Sequence, residues 1–359
     1  MTMYTAIGLM SGTSLDGIDV ALIKTDGHSV VQSLDFAFYP YDAVVRDALS
    51  VCLGLDHDPD GCVAHAERLM TDAHIAAVRA FGHKADMIGF HGQTIFHDPD
   101  HGRTWQIGDG ELLAQSCGMD VVYDMRSNDV AHGGQGAPLL PLYHQVLVKS
   151  AHLSLPVVVL NIGGVSNITW IGQGEHDVLA FDTGPGNALL NDWVMRHSGA
   201  LFDENGNLAS MGHVDNTRVQ NMLTHPYFLQ KPPKSLDRNT FMQFMPDGLS
   251  ASDGAATLTA MTVAAIANGF AFLPQAPSCC YVTGGGRKNA FMMQSLAQIL
   301  PCPVMAVDGL GWDGDAMEAE GFAYLAVRSH LGLPLSLPGT TGCKQAISGG
   351  KKVLAQAVI

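Results

Sequence analysis

The chain has 359 residues, 47% hydrophobic and 15% charged, with a formal net charge of −15. That length predicts two domains, and the composition is that of a globular protein with sizeable cores, not of a low-complexity chain. The acidic balance speaks against a nucleic-acid groove, which needs clustered Lys and Arg, but leaves room for a phosphate held by backbone N–H groups.

Residues 4–27 read as strand, glycine-rich turn, strand, a hairpin signal. Residues 62–81 carry apolar side chains at helical spacing. The run ADMIGFHGQT (85–94) is apolar and ends in a glycine turn. HDPDHG (97–102) suggests a metal at first sight; no second His or Cys set with ligand spacing accompanies it, so a loop is expected. HGQT (91–94), QIGDG (106–110) and DMRSNDVAHGG (124–134) mix turn residues with hydrogen-bonding groups suited to lining a sugar pocket. Arg126 there offers a bidentate fork for a substrate carboxylate or, equally, for a structural salt bridge. AHGGQGAPLLP (131–141) reads as a turn or hinge, dividing the chain into domains at 1–135 and 136–359.

Residues 156–174 repeat the strand–turn–strand pattern. Asp182 follows a β-run and precedes TGPGN; it is either a turn residue bonding its own backbone or a general base beside glycines. PYFLQKPPKS (226–235) reads as a loop near a helix end, with Lys231 and Lys234 solvated. A helix over 253–272 is expected with Asp253 as N-cap. SCCYVTGGGRKNAFMMQSLAQIL (278–300) reads as a strand, a glycine turn and a helix. Residues 313–331 form another helix, acidic at its start and basic at its end, as the helix dipole prefers. The hairpin near each domain's start, followed by a later strand ending in a glycine turn, points to an internal duplication of two α/β domains.

Four glycine-rich segments stand out: 11–19, 161–167, 181–187 and 283–289. None has the GK[ST] ending of a Walker loop, and none opens a helix in the dinucleotide-binding manner. Each is either a tight turn or a place where backbone donors approach phosphate oxygens closely. Asp16 and Asp19 lie in the first hairpin, where a carboxylate can hold Mg²⁺ through water. Seventeen methionines suit gap-filling in cores. Seven cysteines without a C-x-x-C pair suit a reducing compartment. The N-terminus lacks a basic leader, and no run of 18 apolar residues occurs, so a cytoplasmic location without membrane contact is expected.

Taken together, GLMSGTSLDGIDVAL (8–22), HGQT, QIGDG, DMRSNDVAHGGQGAPLLP (124–141), NIGGVSNIT (161–169), FDTGPGN (181–187), PPKS (232–235) and VTGGGRKN (282–289) resemble the anhydro-N-acetylmuramic acid kinase family, in order and along essentially the whole chain. That family belongs to the hexokinase, Hsp70 and actin superfamily. The resemblance implies two duplicated ribonuclease-H-like domains flanking an ATP cleft. It implies ATP and Mg²⁺, 1,6-anhydro-N-acetylmuramic acid as substrate, and cell-wall recycling by a homodimer. Asp182 matches the catalytic base. The ATP-phosphate hairpin maps to Gly12, Thr13, Ser14, Leu15, Asp16, Gly17, Ile18 and Asp19. Further nucleotide positions map to Asn161, Gly163, Gly164 and Asn167, to Gly184, Gly186 and Asn187, and to Gly284, Gly285 and Asn289. The sugar positions map to His91, Gln93, Thr94 and Arg126. After PPKS the family usually continues Thr-Gly-Arg-Glu, whereas Leu236, Asp237, Arg238 and Asn239 stand here, and only the arginine matches. Two other readings are another sugar or acyl kinase of the superfamily and an ATP-switched chaperone. DTGPGN with HGQT argues against the first, and the lack of residues for a peptide-binding module argues against the second.

Overall fold

The computed structural model describes residues 1–355, apart from the side chain of Arg238. Its strands in chain order are β1 (Tyr4–Met10), β2 (Gly17–Thr25), β3 (Val31–Pro40), β4 (Met87–Phe90), β5 (Gln93–Asp98), β6 (Arg103–Ile107), β7 (Asp120–Tyr123), β8 (Val157–Ile162), β9 (Val165–Ile171), β10 (Val178–Pro185), β11 (Cys280–Thr283), β12 (Val304–Ala306) and β13 (Lys351–Val353). Both anticipated hairpins are present, β1–β2 and β8–β9.

The chain divides into two compact units. One comprises Met1–His152 and Ala316–Ile359, the other Leu153–Asp315. The first unit's main sheet has the order β13-β7-β4-β1-β2-β3. Its β1–β2 and β2–β3 pairs are antiparallel, while β1–β4 and β4–β7 are parallel. The second unit's sheet runs β10-β9-β8-β11-β12, again with two antiparallel pairs followed by two parallel ones. Reading outward from β3 and from β10, the two sheets have the same strand order and the same directions, so the duplication expected from the paired motifs is a duplication of topology. Each sheet is the ribonuclease-H-like arrangement of the actin-like ATPase class. Parallel pairs demand crossovers, and helices supply them between β1 and β4 and between β8 and β11.

Each unit has its own core. In the first, Ile7, Leu9, Val20, Ile88 and Phe90 of the sheet pack with Val63, Met70 and Val78 of the helix Cys62–Phe81. In the second, Val158, Leu160, Ile168 and Phe181 pack with Leu258, Met261 and Ile266 of the helix Ala251–Phe270.

The division observed differs from a boundary at 135/136 in two ways. First, the C-terminal helix Met317–His330 packs on β1, β2 and β4, and β13 pairs with β7. Glycine permits the close helix–sheet approach: a Cβ at Gly8 would lie 1.7 Å from the Ala319 carbonyl oxygen, and one at Gly89 would lie 2.1 Å from that of Phe322. Second, the 131–141 segment is anchored within the first unit, not a hinge between two. The buried Asp129 accepts from Gly136 N at 2.7 Å, from Thr341 Oγ1 at 2.7 Å and from Ser336 Oγ, and Gln135 N donates to Thr341 O at 2.6 Å. The chain passes between units at 152/153 and 315/316.

Helix boundaries follow caps. The helix Cys62–Phe81 has the anticipated span and ends on the left-handed Gly82. The helix Ala251–Phe270 starts two residues before expectation, because Ser250 is its N-cap and accepts from Asp253 N at 3.1 Å. Asp253 instead accepts from His213 N at 2.7 Å. Asp313 likewise lies before its helix, in the turn that precedes Met317, and accepts from Asp315 N. No helix among the described residues is long and apolar enough to cross a membrane.

Candidate functional site

In the first unit, four of the singled-out segments meet. The turn after β1 is closed by Leu15 N donating to Gly12 O at 3.1 Å. Ser14 Oγ donates to Asp16 Oδ1 at 2.7 Å, and Gly17 N bonds the same oxygen at 3.1 Å. Leu15 and Ile18 are buried in the core, so their side chains belong to folding. The HGQT segment lies against this turn: Ser11 Oγ donates to Gly92 O at 3.2 Å and Gln93 Nε2 to Gly12 O at 3.2 Å. Thr94 Oγ1 accepts from Gln106 Nε2 at 3.2 Å, which brings in the QIGDG segment. Asp109 of that segment is the N-cap of the helix Gly110–Cys117. Arg126 completes the group, with Nη1 donating to Gly136 O at 2.7 Å and Nη2 lying 3.0 Å from His91 Nε2.

His91 is buried, and its Nδ1 lies 2.7 Å from Gly92 O. A carbonyl only accepts, so Nδ1 carries the proton and Nε2 is the acceptor facing Arg126. Burial, and then the Arg126 charge, hold His91 well below the usual histidine range. Two more buried histidines, His74 and His144, are pushed down to about 4 by desolvation. All three are therefore neutral when folded and titrate near 6.5 when unfolded. The unfolded chain binds more protons as the pH falls below 6.5, so the stability that these groups contribute is present above that value and lost toward pH 4. Each adds a slope of up to about 1.4 kcal/mol per pH unit. Urea melts are expected to show a clear drop in midpoint from pH 7 to pH 5; equal midpoints would contradict the buried neutral assignment.

Among the described residues, Gln93 Oε1 and Gln106 Oε1 are buried with no hydrogen-bond partner, a state that ordered water or a polar ligand relieves. The HDPDHG segment is the tight β5–β6 connection, closed by Gly102 N donating to Pro99 O at 2.9 Å, with His101 Nδ1 2.8 Å from Asp98 Oδ2.

In the second unit, the other three glycine segments converge. Gly163 and Gly164 form the tip between β8 and β9. Their carbonyls accept from Asn187 N at 2.7 Å, Gly186 N at 3.0 Å and Ala188 N at 3.2 Å. The first donors of the helix Ala188–Ser198 are thus spent on the hairpin, so Gly186 and Asn187 build a platform and do not present main-chain donors. A Cβ on Gly186 would sit 2.3 Å from Gly163 O, and one on Gly184 would sit 2.6 Å from Ala265 Cβ, so both glycines serve close packing. Asn187 Nδ2 donates to Ile162 O at 2.9 Å. Asn161 and Asn167 face each other in the β8–β9 register. Gly284, at φ +73°, brings in the third segment and leaves no room for a side chain: a Cβ there would lie 2.3 Å from Asn161 Oδ1. Gly285 follows it into a short turn. Asn289 is the N-cap of the helix Ala290–Ile299, accepting from Met292 N at 2.9 Å. The buried Arg287 holds this loop. It bonds Gly284 O at 3.1 Å and pairs with Asp308 at 2.8 Å and Asp315 at 2.9 Å. Sequence reasoning missed it; the signal was an arginine directly after a run of three glycines, with acids 21 and 28 residues on.

Asp182 lies within β10, not after it, at a bulge between Asp182 and Gly184. Bulges re-aim side chains near active sites. Its Oδ2 accepts from Leu236 N at 2.7 Å, its N–H donates to Lys234 O at 3.0 Å, and its carbonyl accepts from Tyr227 Oη at 2.5 Å. The contact from position 236 uses a backbone N–H, so any residue but proline supplies it, and the departure at Leu236 leaves it intact. Lys234 is not solvated, as the sequence suggested. It is 6% exposed, with Nζ donating to Tyr227 O at 2.9 Å and lying 4.2 Å and 4.9 Å from the Tyr227 and Phe272 ring centres. Its aliphatic stem and its charge are both accommodated, which the flanking di-proline does not reveal.

The family model described as anhydro-N-acetylmuramic acid kinase matches residues 4–354. The chain belongs to the anhydro-N-acetylmuramic acid kinase family. Relatives bearing that name include those of Rhizorhabdus wittichii, 49% identical over 98% of this chain and 99% of theirs, and Zymomonas mobilis, 48% identical over 96% and 98%. That of Acidiphilium cryptum is 50% identical over 97% of this chain and 98% of its own. Among solved structures, a xylulose kinase from Lactobacillus acidophilus overlays with a TM-score of 0.43 at 11% identity, over 98% of this chain and 94% of that one. So loose an overlay says nothing about the site; the strand orders carry the fold assignment.

Proposed function

We propose that the protein is an ATP-dependent phosphotransferase that opens the 1,6-anhydro ring of 1,6-anhydro-N-acetylmuramic acid with water and phosphorylates the freed O6. The observation that carries the reading is Asp182: a buried carboxylate on a strand bulge, held by the Leu236 main-chain N–H and set beside converging glycine loops, in a chain whose relatives bear the name of that kinase. Water attacks C1 while the C1–O6 bond breaks. Asp182 takes the proton from the water. O6 forms its bond to the γ-phosphorus of ATP as the bond to the ADP oxygen breaks, giving N-acetylmuramic acid 6-phosphate and ADP. This places the enzyme in cell-wall recycling, in the cytoplasm, where seven free thiols are at home.

In this reading, the turn from Gly12 to Asp19 meets phosphate oxygens through main-chain donors other than Leu15 N and Gly17 N, which close the turn, and Gly284 and Gly285 line the nucleotide. Thr94 and Arg126 orient the sugar, with His91 fixing the Arg126 fork. Asp16 and Asp19 suit Mg²⁺: Asp16 is exposed on the turn, with Oδ1 tied to Ser14 and Gly17, and hard cations take carboxylate and water oxygens. When bound, the ion neutralises phosphate charge.

Purified protein with Mg²⁺ and ATP is expected to release ADP at a rate at least about tenfold higher when the anhydro sugar is added, with equimolar sugar 6-phosphate detected by mass spectrometry. Equal ADP release without the sugar, and no phosphorylated product with it, would overturn the reading.

A further inference from the structure

Lys234 has no task in the mechanism above, yet its placement is costly. A lysine buried between two aromatic rings loses most of its hydration, and a methionine would fill the same slot without that cost. Both its main chain and its side chain act on the surroundings of Asp182. Its carbonyl accepts the Asp182 N–H at 3.0 Å. Its ammonium pins the Tyr227 carbonyl at 2.9 Å, and the Tyr227 hydroxyl in turn donates to the Asp182 carbonyl at 2.5 Å. Two residues further on, Leu236 N holds the carboxylate itself. The segment from Tyr227 to Leu236 therefore encloses Asp182 from three atoms, and Lys234 is the residue that ties its two ends together.

We propose that Lys234 is a positioning residue for Asp182: its buried ammonium fastens the 227–236 segment over the β10 bulge and keeps the Asp182 carboxylate ionised, able to accept the proton of the attacking water. This rests on the reading of Asp182 as the base. Opposite charges favour each other's ionised forms. Burial lowers the Lys234 ammonium to about 8 while Asp182 pulls it back up, so the lysine is charged at neutral pH. The interaction is mutual, and the same charge favours the carboxylate. Among the described residues Tyr227 also faces the pair; its phenol is raised by burial and then by Asp182, so it is neutral throughout.

The test compares Lys234→Met, which keeps length and apolar contact, with the wild type. Lys234→Met is expected to lower kcat about 10- to 100-fold, to leave the KM for ATP within about twofold, and to move the acid limb of the kcat–pH profile up by about one pH unit. A profile superimposable on the wild type in shape would overturn the proposal, whatever the loss of rate. A second measurement does not depend on that variant folding. In protein with ¹³C-labelled lysine side chains, the Lys234 titration midpoint is expected to fall in Asp182→Asn relative to wild type; an unchanged midpoint would overturn the coupling. Failure of the base reading is distinguishable, because it appears as full turnover in Asp182→Asn, which the lysine titration does not measure.

Discussion

Asp182→Asn is expected to lower kcat by about 10³-fold, within the range that a positioned general base supplies, while ATP binding stays near wild type. The substitution is nearly isosteric and retains an oxygen to accept from Leu236 N, so the strand bulge and the loop over it stay in place. What it removes is the capacity to take a proton. The water would then attack C1 with no acceptor for its charge, a loss of about 4 kcal/mol of transition-state stabilisation. Calorimetric titration with ATP checks binding, and chromatographic detection of the sugar phosphate checks turnover. An asparagine variant that turned over at the wild-type rate would remove Asp182 from the chemistry and leave the carboxylate a purely structural role.

The largest loss of stability is expected from Gly8→Ala. β1 lies between β2 and β4, and the helix Met317–His330 runs across it. A methyl group at position 8 would stand 1.7 Å from the Ala319 carbonyl oxygen and 2.8 Å from Ala323 N. These are backbone atoms of a buried helix that carries the fully buried Phe322 and Tyr324, so they yield only if the helix lifts from the sheet. Overpacking of this kind costs about 3 kcal/mol or more, which corresponds to a fall in melting temperature of about 6–12 °C for a unit of this size. Scanning calorimetry measures it. A melting temperature unchanged from wild type would show that the helix has room to move and that Gly8 is not required for the packing.

Local elements were legible where a short-range signal decides them. The β1–β2 and β8–β9 hairpins follow from apolar runs around a glycine turn, and the helix at 62–81 follows from period and a terminal glycine. The repeated pattern of hairpin and later strand correctly indicated a duplicated topology. The polar segments 11–19, 91–94, 106–110 and 126, scattered through the first 130 residues, do meet in the structure. The N-cap at 250 was missed because Ser250, Ser252 and Asp253 are all cap formers in one stretch, and only the observed bond from Asp253 N to Ser250 Oγ chooses among them.

Asp129 and Lys234 were read wrongly or passed over for another reason. A carboxylate that ties residues 136, 336 and 341 together looks in the sequence like any other turn aspartate, since two of its partners lie some 200 positions away. Lys234 looks like a surface charge beside prolines until the rings of Tyr227 and Phe272 are placed around it.

The sequence by itself determined the secondary structure around each glycine turn, the duplication and the family. Those depend on local propensity and on the order of short motifs. Only the tertiary structure decided that residues 316–355 return to the first unit, that the 131–141 segment is fastened by Asp129, that Gly186 and Asn187 spend their N–H groups on a neighbouring hairpin, and that a buried lysine sits behind Asp182. Each of these is a contact between residues far apart in the chain, made possible by close backbone approach or by desolvation, and neither quantity is written in the identity of a residue and its immediate neighbours.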